Sequence, residues 1–288
     1  RDACINPTSV SDSHYFAIDK KQKNRVSNTN GLGGEKIIWR ESICSWCYSV
    51  VDHFGVDRRV VLVCISLLDR LFATGKVTFS ANLFKLAALS SLHLACKIHG
   101  SAILSMKLLA ELSKGEFSIG QMAKVELMIL RALKWHVNPP TSVCFIHEIL
   151  SLLRDKLEVS ILERIYNNAC FFAEMSVFEP YFVSRKPSTI ALASILNAFE
   201  MINYTEIEAT LRSSLIEQIL ALLQVKEQLQ NEVESVQRML WKNRWRNEAS
   251  ESSNAIPVSD VSIINGKANN AKRAKLNRTR TSGVSICR

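Results

Sequence analysis

The pair Cys44 and Cys47, in Cys44-Ser45-Trp46-Cys47, is the part of the chain whose residue types and spacing first suggest chemistry. A Cys-x-x-Cys can hold zinc or run thiol–disulfide exchange. A structural zinc site, however, draws on four ligands, usually two such pairs. There is no second pair here, and on a helix positions i and i+3 simply share a face, so these cysteines read as packing. The six histidines are scattered, with no His-x-x-x-His or metalloprotease spacing. His99 and His136 read as turn or surface residues. No glycine-rich phosphate loop follows a strand, and no nucleophile elbow is present. The sequence therefore points to no catalytic residue, no metal, no cofactor and no small-molecule substrate; the chain does not read as an enzyme.

The charge is distributed unevenly. The formal net charge is +9, but residues 241–288 carry 10 Lys/Arg against 3 Asp/Glu, and the other 240 residues are nearly balanced. A basic tail, rather than a basic fold, argues against nucleic acid across the surface. Within it, Lys272, Arg273, Lys275, Arg278 and Arg280 form a short basic cluster of the kind read as a nuclear localisation signal. Arg273-Ala274-Lys275-Leu276 has an Arg-x-x-Leu form, which four residues often produce by chance. No Ser-Pro or Thr-Pro occurs.

The elements that must position any site are helices. Hydrophobic residues make up 47% of the 288, with 10 Gly and 6 Pro, and no proline falls between Pro7 and Pro139. Apolar periodicity predicts helices near 37–54, 57–74, 80–98, 103–113 and 118–135, with breaks at Gly55, Gly75, Gly100 and Gly115. Asn138-Pro139-Pro140-Thr141 stops one series and starts the next, with Thr141 as N-cap. Further helices are predicted near 141–154, 158–178, 187–202, 205–222 and 223–245, and essentially no sheet. Residues 1–36 are polar, with a short helix expected at Tyr15–Ile18. They contain no apolar run of the signal-peptide kind, and no segment reaches the roughly 18 apolar residues of a membrane span. The chain opens on Arg1 rather than Met, as a fragment or a processed chain does. Beyond Arg246 the composition is that of a disordered tail. Six of the eight cysteines fall inside apolar helical patterns, consistent with reduced, buried thiols in the cytoplasm or nucleus.

Five helices followed by five suggest an internal repeat. Lys85–Cys96 (KLAALSSLHLAC) and Thr189–Glu200 (TIALASILNAFE) both interleave small residues with Leu or Ile. Ala87, Ser91 and Ala95 share one face, where small side chains let neighbouring helices approach closely. A helix apolar nearly all round is central to its lobe.

With these elements in place the chain resembles the cyclin family over roughly residues 37–240. Trp39-Arg40-Glu41-Ser42-Ile43, followed by Trp46, is similar to the motif that opens the cyclin box. Leu68-Asp69-Arg70-Leu71-Phe72 resembles the end of its second helix, and Leu94-Ala95-Cys96-Lys97 the end of its third. Glu126, Ile129-Leu130, Leu133, Trp135 and Pro140-Thr141 resemble its fifth helix and the entry to a second box. The resemblance implies an all-α fold of two tandem five-helix lobes. The first box would span 37–138 and the second 139–246, between a polar segment (1–36) and a disordered basic tail (247–288). It implies a regulatory subunit that binds and activates a cyclin-dependent protein kinase as a heterodimer, in cell-cycle control, in the nucleus or cytoplasm. It implies Lys97, Glu126 and Leu86 as kinase-binding residues and an Arg40–Asp69 ion pair that fixes a helix crossing.

The chain also departs from the pattern. Ile98-His99-Gly100 stands where the family usually has an aromatic and acidic residues, which implies a divergent partner. Trp39, Glu41 and Ser42 weaken the apolar groove that in the family takes Arg-x-Leu docking peptides. Two other functions fit a cyclin-type fold: a transcription-factor core that binds DNA or the transcription machinery, and a scaffold that activates no kinase. The nearly balanced core and the lone Cys-x-x-Cys argue against the first.

Overall fold

A computed structural model of the chain describes residues 32–77, 80–99, 104–223 and 227–253. Among these it is all helical, with no strand. The first series is α1 (Leu32–Phe54), α2 (Arg59–Ala73), α3 (Ala81–Ile98), α4 (Met106–Leu112) and α5 (Ile119–Ala132). The second is α6 (Ser142–Ser151), α7 (Val159–Ser176), α8 (Pro187–Glu200), α9 (Ala209–Leu222) and α10 (Glu227–Ser253), with a 3-10 turn at Pro180–Phe182. The ten helices predicted between 37 and 245 are all present, and most bounds agree to within a few residues; α10, however, continues to Ser253, into the segment whose composition predicts a disordered tail. The expected helix at Tyr15–Ile18, the break at Gly100 and the basic cluster at 272–280 lie outside the described residues. No helix among those described is long and apolar enough to cross a membrane.

Sequence chemistry explains the boundaries. Ser80, Ser105 and Thr141 accept from the backbone N–H three residues on, and Ser118 with Gln121 forms a full capping box. Gly55, Gly75 and Gly115 stand at φ 65°, 66° and 77° after α1, α2 and α4, where the left-handed turn favours glycine. The fifth helix ends three residues earlier than its pattern, at Ala132. Lys134 (φ 51°) and Trp135 (φ 64°) turn left-handed, and Trp135 N–H closes the helix by donating to Leu130 O at 2.9 Å. Neither residue is glycine, so the turn toward Pro139 stores backbone strain.

The expected central helices hold the core. α3 packs against α1, α2, α4 and α5, and Ala87, Ser91 and Ala95 are fully buried along it. α8 packs against α6 and α7 and buries Ile190, Ala191, Leu192, Ala193 and Ile195.

Candidate functional site

α3 and α5 meet where their side chains permit close approach. Ser90 Oγ lies 2.9 Å from Leu86 O on its own helix and 3.1 Å from Met122 O on α5, so the two backbones are bridged by one small hydroxyl. One turn on from Ser90, α3 presents His93, and one turn further Lys97, in the last turn of the helix, where its charge complements the helix dipole. Opposite them α5 places Glu126. Its Oε1 accepts from Lys97 Nζ, and its Oε2 lies 2.7 Å from His93 Nδ1. A carboxylate only 9% exposed needs such partners, because an uncompensated buried charge is expensive.

The structure thus brings Lys97 and Glu126 together but turns them differently. Lys97 is 48% exposed and Glu126 nearly enclosed. Leu86, the third residue singled out, is buried at 8% exposure. Of the three, Lys97 is the side chain that reaches solvent, with Leu127 (40% exposed) beside Glu126 on α5. The sequence reading passed over His93. Its signal was available: it stands four residues before Lys97, on the same helical face.

A second constellation lies where α1 and α2 meet α7. Arg40 Nε and Nη2 donate to the two oxygens of Asp69, both at 2.9 Å. Arg40 Nη1 donates to Val177 O, just past α7, and Cys44 Sγ sits 3.6 Å from that same carbonyl. Burial pulls the Arg40 guanidinium toward losing its proton, but Asp69 outweighs this and holds it above its ordinary value. So this pair ties α1 to α2 and also reaches the second lobe. Alongside it, Arg58 Nε donates to Glu174 Oε2 at 2.8 Å, and Tyr48 stacks on Phe178 with ring centres 5.6 Å apart. Burial holds the Glu174 carboxyl above the usual carboxylate range, against the pull of Arg58.

The Cys-x-x-Cys is part of the core. Cys44 and Cys47 are both fully buried, and Cys47 Sγ lies 3.9 Å from Cys64 Sγ. Burial pushes the Cys44 and Cys64 thiols well up, disfavouring the thiolate that metal binding or exchange requires. Among the described residues no group of three or more metal-ligating side chains forms. The expectation of buried cysteines holds for Cys44, Cys47, Cys64 and Cys96; Cys144 is exposed and Cys170 half-buried, because each falls on the outer side of its helix. His99 and His136 are exposed beyond the ends of α3 and α5, as expected. Around the opening motif, Trp39, Glu41 and Ser42 are half-buried. Lys85 Nζ stands 5.5 Å from the Trp39 ring and pairs with Glu116 at 3.1 Å.

Comparison with known proteins gives this arrangement its context. The cyclin N-terminal domain family matches residues 13–138, and the cyclin C-terminal domain family residues 140–256. Human Cyclin-O is 26% identical over 195 residues, covering 65% of this chain and 54% of its own length. Cyclin-D3-2 of Arabidopsis thaliana is 25% identical over 218 residues, covering 73% and 57%. The chain therefore spans a little over half the length of these relatives. Among solved structures, a viral cyclin from herpesvirus saimiri superposes with a TM-score of 0.58 at 18% identity, covering 72% of this chain and 86% of that one. A chain of the CAK complex from Chaetomium thermophilum gives 0.56 at 15% identity, covering 92% and 86%. With both domain families matched in tandem across most of its length, the chain belongs to the cyclin family.

Proposed function

We propose that this cyclin is the regulatory subunit of a cyclin-dependent protein kinase, which it binds and activates in cell-cycle control, in the nucleus or cytoplasm. The observation that carries this reading is Lys97: a half-exposed cation, anchored by the enclosed Glu126 at the edge where α3 meets α5. The matched chain of the CAK complex supports a kinase partner. Activation in this reading is selection. The α3–α5 edge binds the kinase conformation with its catalytic Lys–Glu pair formed better than the inactive one, and so shifts the population. Leu86 acts from beneath, by packing, and Arg40 with Asp69 holds the first lobe in the shape that presents this edge.

Purified monomeric cyclin-dependent kinases, titrated one at a time against the full chain, test this. The double variant Lys97→Ala, Glu126→Ala is expected to abolish binding and activation while leaving helicity intact. Normal binding by the double variant would place the interface elsewhere, and binding without activation would make the chain a scaffold. A further consequence concerns docking. With Glu41 and Ser42 in the opening motif and Lys85 over Trp39, standard Arg-x-Leu peptides should not dock. Calorimetric titration giving micromolar or better affinity would contradict that.

A further inference from the structure

Glu126 has two carboxylate oxygens, and each is taken by a different residue of α3. Lys97 occupies Oε1 and His93 occupies Oε2 at 2.7 Å. The three side chains differ in exposure: 48% for Lys97, 14% for His93 and 9% for Glu126. The imidazole is therefore largely enclosed, and its Nδ1 is committed to Glu126. An ammonium facing a carboxylate with both oxygens open settles between them and is drawn inward. Here the imidazole holds Oε2 and the ammonium sits on Oε1, and with Lys97 48% exposed its other donors can turn to solvent.

We propose that His93 is a positioning residue for the kinase-facing edge: it occupies one oxygen of Glu126, so that Lys97 is held on the other and directed outward. This rests on the reading of Lys97 as a kinase contact. The geometry also says which part of the imidazole matters. Nδ1 makes the contact, and an asparagine amide can take nearly the same place; leucine fills the volume without the hydrogen bond.

The test uses the full chain and the purified monomeric cyclin-dependent kinases named above. His93→Leu is expected to weaken binding about tenfold, the loss of one hydrogen bond to a charged group, while His93→Asn stays within about threefold of wild type. In a Lys97→Met background, His93→Leu should cost nothing further, since the residue acts through the ammonium. A readout without any kinase accompanies this. Acylation of Lys97 by a lysine-reactive ester, followed by mass spectrometry, should slow in His93→Leu and recover in His93→Asn. Wild-type binding by His93→Leu, additive losses in the double variant, or unchanged Lys97 acylation would each overturn the assignment. If Lys97→Met alone leaves binding intact, the kinase-surface reading falls first and this one with it. If Lys97→Met weakens binding and His93→Leu does not, only this one falls.

Discussion

In the first lobe the central helix α3 touches all four of its neighbours; in the second, α8 packs closely on α6 and α7 while α9 and α10 stand further off. α10 is reached by separate contacts, such as Asn197 Nδ2 donating to Gln237 O at 3.1 Å and Phe172 stacked against Trp241. Between α6, α8 and α10 runs a groove of about 390 Å³, open to the surface and lined by Phe145, Ile149, Leu152, Thr189, Leu192 and Val233 among others. The helix starts differ in the same direction. α3, α4 and α5 each open on a serine that caps, whereas α7, α8 and α9 open on Glu158, Lys186 and Glu208 without a side-chain cap. One fold plan thus tolerates two standards of packing. The lobe that encloses Glu126 is the one whose central helix meets more of its neighbours.

Two variants probe the difference in buried charge. Asp69→Asn strands a guanidinium that the fold encloses at 11% exposure, and should cost about 3 kcal/mol of stability by urea unfolding. Its second-lobe counterpart is Arg212 with Glu200, 3.8 Å apart, with the carboxylate 46% exposed and Arg212 also donating to Ile202 O. Arg212 is itself only 4% exposed, but a half-exposed carboxylate at 3.8 Å compensates it weakly, so Glu200→Gln should cost only about 0.5 kcal/mol. Equal losses would erase the distinction between the lobes. An effect of opposite sign is expected at Asn243. This residue is 5% exposed, and among the described residues neither its amide nitrogen nor its oxygen finds a hydrogen-bond partner. Asn243→Leu should raise stability by about 1 kcal/mol, because an unmet polar group is replaced by an apolar one. A lower melting temperature would mean that this lobe is finished to the same standard as the first.

Most of the fold was legible in the sequence, and the reasons are local. Apolar periodicity marked the helices, glycines at positive φ marked their ends, and the stripe Ala87-Ser91-Ala95 marked the helix that others approach. What escaped is set by packing between distant segments. Which of Leu86, Lys97 and Glu126 faces water depends on how α5 lies on α3, and periodicity does not contain that. The reach of Arg40 to Val177 O crosses 137 residues of sequence, so a motif around Arg40 could indicate its Asp69 partner but not this one. His93 gave no signal of its own among six scattered histidines; its role depends on α5 setting a carboxylate against it.

The buried thiols have a consequence for observing this molecule at work. Cys44, Cys47, Cys64 and Cys96 line the first lobe at 1% exposure or less, so all four are shielded from reagent while the lobe is closed, and burial pushes the Cys96 thiol up to about 12. Cys144, on the second lobe, is open to reagent at once. A thiol-reactive dye therefore runs as a clock on this chain. With Cys4, Cys170 and Cys287 replaced by serine, the fast label at Cys144 counts molecules, and the slow labels appear only as the first lobe opens, so their rate reports its opening equilibrium. Any partner seated on the closed lobe should slow that clock in proportion to how tightly it binds.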